Sequence, residues 1–314
     1  MSNYLIRRVL RSALTIFGVV TLTFLVVHLL PGDAVAIMLI DAPSEFADDL
    51  RHALGLDLPI HIQYVQWLVP LVTRLDLGQS ITLKVSVSKM LAQRLPVTME
   101  LALLATFLSI VISLPWGILA ARHRGSWLDY AAMQFSQLGA AVPAFWIGTM
   151  LMIAMAVKLR LLPAVGWIPF TQNPSKNLLY MLMPSLSVAL PRAAILTRTV
   201  RSALLEVLSQ DYITVAYAKG LRRNTVMWRH ALKNALIPVL TVGGVQIGYL
   251  LGGSIIIEDI FQLPGVGKLA VTALTWRDIP VIQGCLIVYA VFFVSINLAV
   301  DILYSVADPR ISYD

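Results

Sequence analysis

The chain has 314 residues, of which 58% are hydrophobic and 13% are charged, with a formal net charge of +7. A soluble domain usually carries about 25% charged residues, so this composition excludes an ordinary soluble fold and indicates a chain solvated by lipid. The Lys and Arg residues lie mostly in short connectors beside apolar runs, which is typical of a membrane protein and argues against nucleic acid as a partner.

Six apolar stretches are long enough to cross the hydrocarbon core, which takes about 20 helical residues. The first exceeds the apolar region of about 7–15 residues in a signal peptide and is interpreted as an uncleaved anchor. We expect Pro184 and Pro191 to interrupt the fourth span. The predicted spans cover approximately residues 9–30, 97–121, 130–157, 178–200, 235–257 and 279–306.

The basic connectors fix the predicted orientation. They precede the first span, follow the second and join the fourth to the fifth, so the positive-inside rule makes them cytoplasmic, together with both termini. We therefore divide the chain into residues 1–30, with the first span, an external segment at 31–96, and a transmembrane core at 97–314. Apolar spacing predicts external helices at 45–54 and around 61–69.

Motifs for catalysis are missing from the sequence. The nearest imitation of the phosphate-binding motif G-x-x-x-x-G-K-[ST] is PGVGKL at 264–269, which lacks the first glycine and the hydroxyl residue after Lys268. We interpret it as an external turn. There is no H-E-x-x-H, no G-x-S-x-G and no Cys/His cluster. We expect neither a catalytic residue nor a metal nor a cofactor in this chain.

The cytoplasmic connector at about 201–234 has a pattern of its own. Residues 204–219 mix apolar and polar positions as a surface helix does. Gly220 then suits the left-handed position that ends a helix, and a second helical run covers 225–238. This pattern predicts a compact knob for a groove on a partner. An amphipathic helix lying in the membrane interface explains it equally well.

Residues 211–220, DYITVAYAKG, and 230–238, HALKNALIP, resemble the EAA loop of ABC importer permeases, in the form of the dipeptide, oligopeptide and nickel branch. Further matches extend over the whole chain: LPGD at 30–33, AAVPAFW at 140–146, EDIF at 258–261, PGVG at 264–267, RDIPVIQ at 277–283 and DPRI at 308–311. One departure is Thr214-Val215-Ala216, which keeps only the last letter of EAA. It puts in doubt any contact that an acidic side chain makes at Thr214.

The resemblance implies an all-α, type I ABC importer permease fold in the bacterial inner membrane, with six transmembrane helices and an external helical segment. It also implies a second homologous permease, two cytoplasmic ATPases that bind ATP and Mg, and an external substrate-binding protein. Peptides are the expected substrates, with nickel, a metal chelate or glutathione as alternatives. The implied ATPase-docking residues are Asp211, Tyr212, Thr214, Val215, Ala216, Ala218, Lys219, Gly220, Leu221 and Arg222.

Small residues repeat every fourth position in the fifth span, at Gly244, Gly248 and Gly252. Such a stripe lets helices approach closely. The neighbouring helix belongs either to this chain or to the partner permease, and the pattern allows both.

A charge inside the fourth span, Arg192 after Pro191, is expensive in lipid and should face protein or a pathway. It either contacts an anionic substrate group or has a structural partner, for which Asn297 and Asp301 are candidates.

Two other classes of membrane protein are alternatives to an importer permease. An ion-coupled secondary transporter often shows an internal repeat, and none is apparent. An intramembrane enzyme needs paired catalytic residues, and Asp301 alone is not enough.

Overall fold

The computed structural model of the chain describes residues 2–29 and 57–307, and these are organised as a helical bundle. Five helices are each long and apolar enough to cross a membrane, and a bent pair of helices brings the number to the predicted six when it is counted as one span. The helices are α1 (Ser2–Leu29), α2 (Ile60–Arg74), α3 (Val87–Arg122), α4 (Trp127–Ala141), α5 (Ala144–Leu151, continued by the π-helical Met152–Lys158), α6 (Pro174–Leu208), α7 (Asp211–Ala218), α8 (Leu232–Ile260, preceded by the turn Arg223–Thr225 and the π-helical Val226–Ala231), α9 (Val266–Trp276) and α10 (Ile279–Ala307).

The third span is not the single helix that was expected over 130–157. It consists of α4 and α5, which meet at an angle of 102°. The break falls at Val142 and Pro143, where Val142 is extended, with φ −86° and ψ 126°. A residue before proline is pushed out of the helical region, and proline itself has no N–H to continue the helix. The sequence Val-Pro therefore turns the chain within the span.

The fourth span, α6, runs through the centre of the bundle. The prediction that prolines interrupt it is wrong, because both Pro184 and Pro191 lie inside one helix of 35 residues. Proline removes one intrahelical bond and clashes with the preceding turn, yet the surrounding helices hold this segment. Pro184 is buried, as are Met181 and Val188 on either side of it. Tertiary packing therefore overrides the local preference.

The segment between the first two spans is partly helical. The predicted helix at 45–54 lies outside the described residues, whereas the helix expected around 61–69 is confirmed as α2. It packs on α1 through Phe24, whose ring centroid lies 5.2 Å from that of Tyr64 and 5.4 Å from that of Trp67. α3 begins at Val87 rather than at residue 97, so the first ten residues of this long helix belong to the segment that was assigned outside the core.

The two ends of the bundle are different. One end, here called the α7 end, holds α7, the last turns of α3 and α6, and the start of α8. The other, the α9 end, holds α9 and the beginnings of α3 and α10, which share a cluster of buried side chains that includes Val87, Leu269 and Val281. Two long apolar clusters connect these ends along α6.

Candidate coupling site and membrane cavity

The candidate docking element, α7, is held on the bundle by one narrow face. Ile213 and Ala216 are buried, three residues apart, in a cluster formed with α6, the Val226–Ala231 segment and the start of α8. Burying a side chain of the size of Ile213 stabilises by about 1.5–3 kcal/mol. The rest of the helix is uncovered, including the apolar side chains of Val215 (51% exposed) and Tyr217 (42% exposed).

The turn after α7 has the conformation expected from the sequence. Gly220 has a φ of +82°, which is unfavourable for any residue with a Cβ. Its N–H donates to Tyr217 O at 2.9 Å, and the N–H of Leu221 donates to Ala216 O at 3.3 Å. These two bonds define a Schellman motif, with glycine at the left-handed position. The expected helix over 204–219 is, however, two helices, because α6 ends at Leu208 and α7 starts at Asp211.

Polar contacts fix the knob, defined as α7 and the turn through Thr225, to its base. Asn234 Nδ2, in the first turn of α8, donates to Tyr212 Oη at 2.8 Å. Arg223 Nη2 donates to the backbone oxygen of Arg122, the last residue of α3, at 3.0 Å. The knob is therefore tied to two transmembrane helices, α3 and α8.

An ion pair that the sequence analysis did not single out lies beside the knob. Arg201, in the last third of α6, donates from Nε to Asp129 Oδ1 at 2.5 Å and from Nη2 to Oδ2 at 2.7 Å. Asp129 lies in the first turn of α4 and also accepts the N–H of Gly125 at 3.0 Å. Two parallel bonds make this pair directional. It locks the third span to the fourth at the α7 end, and no local signal connects residues 72 positions apart.

The glycine stripe of α8 does not act as one surface. A Cβ at Gly244 would lie 2.2 Å from Val300 Cγ1, and one at Gly248 would lie 3.0 Å from Phe293 Cε2. The lack of a side chain at both glycines therefore leaves the space that side chains of α10 occupy. A Cβ at Gly252 would meet nothing within 4 Å. Gly244 and Gly248 thus pack within this chain, whereas Gly252 is left exposed.

The suggested partners of Arg192 are engaged elsewhere. Asp301 forms an ion pair with Arg8 of α1, and Asn297 Nδ2 donates to Phe293 O at 2.9 Å within α10. The expectation that Asn297 or Asp301 pairs with Arg192 is therefore wrong. Arg192 Nη1 instead donates to Val188 O at 2.7 Å, and Nε lies 3.4 Å from Gln246 O.

A cavity of about 170 Å³ lies between α3, α6, α8 and α10, and Arg192 is one of its lining residues. Its wall is mostly aliphatic, with hydroxyl residues on the α3 side. The structure does not place Asn297 or Asp301 in this wall, which includes Thr106, Ser109, Ser113, Arg192, Gln246 and Val300.

The glycine-rich turn at 264–267 binds a carboxylate of its own chain. Glu258, near the end of α8, is fully buried, and its Oε2 accepts the N–H of Lys268 at 3.1 Å while Oε1 accepts Thr98 Oγ1 at 2.7 Å. A Cβ at Gly265 would lie 2.3 Å from Glu258 Oε2. The turn therefore encloses a structural side chain of its own chain and not an external ligand.

Comparison with known proteins identifies the family. The family described as "Binding-protein-dependent transport system inner membrane component" matches residues 113–313, and the N-terminal membrane component of the same systems matches residues 1–102. This chain belongs to that family. As a permease of binding-protein-dependent transport it is a transport subunit, and the group of three or more His, Cys, Asp or Glu residues needed to hold a metal does not occur among its described residues.

Relatives of the permease align with its whole length. A putative peptide transport system permease protein of Brucella suis is 42% identical, and the oligopeptide transport system permease protein AppB of Bacillus subtilis is 39% identical. The glutathione transport system permease protein GsiC of Salmonella choleraesuis is 37% identical. Each alignment covers 100% of both chains.

Solved structures share the fold of the permease. A chain of the MetNI methionine ABC transporter, in an inward-facing conformation, superposes with a TM-score of 0.56 over 70% of this chain and 97% of its own, at 17% identity. A chain of an amino acid ABC transporter gives a TM-score of 0.52 at 15% identity, over 71% of this chain and 95% of its own. The predicted ABC importer permease fold is confirmed.

Proposed function

We propose that this permease is one subunit of an ATP-driven importer of dipeptides or oligopeptides and forms half of the translocation pathway. Support for the substrate comes from full-length relatives that are named as peptide and oligopeptide permeases at 42% and 39% identity. The relative named as a glutathione permease makes that small peptide-like thiol the second candidate.

The observation that carries the coupling role is the exposed face of α7 on its rigid base. Tyr212, Val215 and Tyr217 present apolar surface beyond the bundle, and Lys219 and Arg222 are exposed next to them. A short, stiff helix with a hydrophobic centre and a basic rim fits a groove on a soluble partner better than it fits lipid alone. The proposed partner is a cytoplasmic ATPase, which binds ATP and Mg and contacts the exposed docking residues between Asp211 and Arg222. Ala216, expected among them, instead faces the bundle.

The remaining partners of the proposed complex come from the resemblance to ABC importer permeases. They are a second ATPase and a second, homologous permease. Gly252, exposed on α8, is the member of the glycine stripe that remains for contact with it. The α7 end and both termini face the cytoplasm, where the positive-inside rule places the basic connectors. The α9 end faces outward and receives substrate from a binding protein.

Purification of the tagged permease from detergent-solubilised membranes tests this proposal. We expect ATPase subunits and a second permease to copurify, and the reconstituted complex with its binding protein to accumulate a labelled tripeptide when ATP is present. Val215→Asp should reduce ATPase recovery at least tenfold, because it places a charge at the centre of the apolar face.

The same substitution at Leu83 provides the control. Leu83 is 61% exposed in the loop before α3, at the opposite end of the bundle, so Leu83→Asp should leave ATPase recovery unchanged. Recovery of the wild-type permease without any ATPase would exclude the importer assignment, and equal losses in both variants would exclude α7 as the docking element.

A further inference from the structure

Arg192 is a cation in the middle of α6, the most deeply buried of the candidate spans. It is 18 residues from the start of α6 at Pro174 and 16 residues from its end at Leu208, or about 27 and 24 Å at 1.5 Å per residue. At about 1.5 Å per residue, α6 is longer than the hydrocarbon core of about 30 Å, and Arg192 lies near its midpoint. A charge at this depth is retained in membrane proteins mainly where it faces a pathway or a partner.

The hydrogen-bonding capacity of Arg192 is only partly used. A guanidinium has five N–H donors. Nη1 makes one short bond, to Val188 O at 2.7 Å, and Nε makes one long bond, to Gln246 O at 3.4 Å. No carboxylate within residues 2–29 and 57–307 forms an ion pair with it, and Asp301 is engaged by Arg8. The side chain is therefore held in place, and most N–H donors of its forked guanidinium group (the fork) remain available for further hydrogen bonds.

The surroundings leave this fork accessible. Arg192 lines the cavity of about 170 Å³ between α3, α6, α8 and α10, opposite the hydroxyl residues Thr106 and Ser109. Nη2 lies 3.4 Å from the position that a Cβ would take at Gly253, and Gly253 is exposed. A Cβ at position 253 would therefore be in van der Waals contact with Nη2. Glycine therefore keeps one edge of the guanidinium uncovered on the α8 side.

We propose that Arg192 binds the C-terminal carboxylate of the peptide during its passage through the membrane. This inference rests on the proposed import of peptides. A planar guanidinium binds a carboxylate through two parallel hydrogen bonds. The C-terminal carboxylate is present whatever side chains the peptide carries, so one arginine recognises many sequences. The cavity is smaller than the roughly 300–1,000 Å³ of a pocket that encloses a drug-sized ligand, and it therefore receives the end of a chain.

Uptake by the reconstituted complex tests the proposal with trialanine and trialanine amide, each at a concentration that saturates the binding protein. Arg192→Gln should lower uptake of trialanine about tenfold or more, the size expected for a lost charged hydrogen bond, and change uptake of the amide by less than twofold. Arg192→Lys, which keeps the charge without the fork, should give an intermediate loss. The binding protein affects both variants equally, so its own preference cancels in the comparison.

A second variant tests the role of Arg192 if Arg192→Gln does not assemble into the complex. Gly253→Ala retains the arginine and puts a methyl group at van der Waals distance from Nη2, so trialanine uptake should fall about two- to fivefold while amide uptake is unchanged. Gly18→Ala in α1, where a Cβ meets nothing within 4 Å, is the matched control and should behave as wild type.

Equal losses for both peptides in the Arg192 variants would show a structural role and overturn the proposal, as would unchanged uptake of both. If the binding protein does not deliver the amide, a trialanine analogue with a photoreactive residue beside the C terminus replaces it. Crosslinks to α6 or α8 around Arg192 support the proposal, and crosslinks confined to other helices overturn it. A wild-type complex that hydrolyses ATP but imports no peptide would instead refute the proposed substrate class.

Discussion

The left-handed turn at Gly220 provides the sharpest test of how the knob works. Its φ is +82°, and a Cβ built at this position meets nothing within 4 Å. The Cβ of a valine at this position therefore meets no neighbour, and the expected effect is backbone strain. A side chain in this conformation costs about 1–2 kcal/mol, which the chain relieves by opening the turn.

Binding of the ATPase requires the left-handed turn to form again in the variant. The free energy of the strain is therefore subtracted from the binding free energy, and the affinity for the ATPase falls. A cost of about 1–2 kcal/mol corresponds to a reduction of about 5- to 30-fold. We expect this loss in a titration of the purified ATPase onto the Gly220→Val permease in detergent, together with reduced ATP-driven uptake and normal membrane insertion. Gly220→Asn should lose much less, since asparagine tolerates the left-handed region.

Gly125 supplies the matched control. It has a φ of +78°, also with nothing within 4 Å of a built Cβ, and it lies in the connector between α3 and α4. Gly125→Val therefore introduces the same strain outside the knob and should leave ATPase affinity unchanged. The proposed role of the left-handed turn is refuted if Gly220→Val binds the ATPase like wild type, or if Gly125→Val loses as much affinity.

Three further substitutions test the packing described above through the thermal stability of the purified permease. Gly244→Ala should destabilise the permease by about 1–3 kcal/mol, since its methyl group would overlap a valine of α10 at 2.2 Å. Gly252→Ala on the same helix should leave the melting temperature unchanged or slightly raised. A larger loss of stability in Gly252→Ala than in Gly244→Ala would contradict the packing. Gly267→Ala should also be strongly destabilising, because a Cβ there lies 2.7 Å from a backbone Cα of α8 and the backbone cannot move aside. A variant with the melting temperature of the wild type would show that the turn at 264–267 is not tightly packed. Asp129→Ala should lower stability by about 3–5 kcal/mol, because it leaves the largely buried guanidinium of Arg201 unpaired. Exchange of the two side chains, Asp129→Arg with Arg201→Asp, should recover part of this loss. No recovery would mean that the pair contributes through packing instead of charge.

Much of the bundle was predictable because membrane spans depend on length and apolarity alone. The helices α1, α3, α6, α8 and α10 all coincide with predicted spans. Proline was the main source of error, since the same residue type had opposite outcomes. Pro143 ends α4 and bends the chain by 102°, whereas Pro184 and Pro191 stay inside α6. Whether a helix survives a proline depends on the helices packed around it, and the local sequence does not contain that information.

The candidate site also combines features that follow from the local sequence with features that depend on tertiary packing. The conformation of Gly220 follows from local chemistry, because a helix that ends at a glycine has few alternatives. The partner of Arg192 was predicted wrongly, since Asp301 is paired with Arg8 at a separation of 293 residues. The bond between Asn234 and Tyr212 also depends on how two helices are placed in space. Such contacts are decided by tertiary structure, and a single sequence gives no signal for them.

The two parts of the site are connected by one continuous element. α6 carries Arg192 beside the cavity and, nine residues later, Arg201 at the α7 end, about 14 Å along the helix at 1.5 Å per residue. Both internal prolines precede Arg192, so the stretch from Arg192 to Leu208 retains its full set of helical hydrogen bonds. A bend in α6 would occur at the prolines, on the far side of the cavity from the knob. In the proposed importer, a displacement of the α7 end would therefore reach Arg192 through a stiff helix, and the bidentate bonds of Arg201 to Asp129 would carry it into the third span.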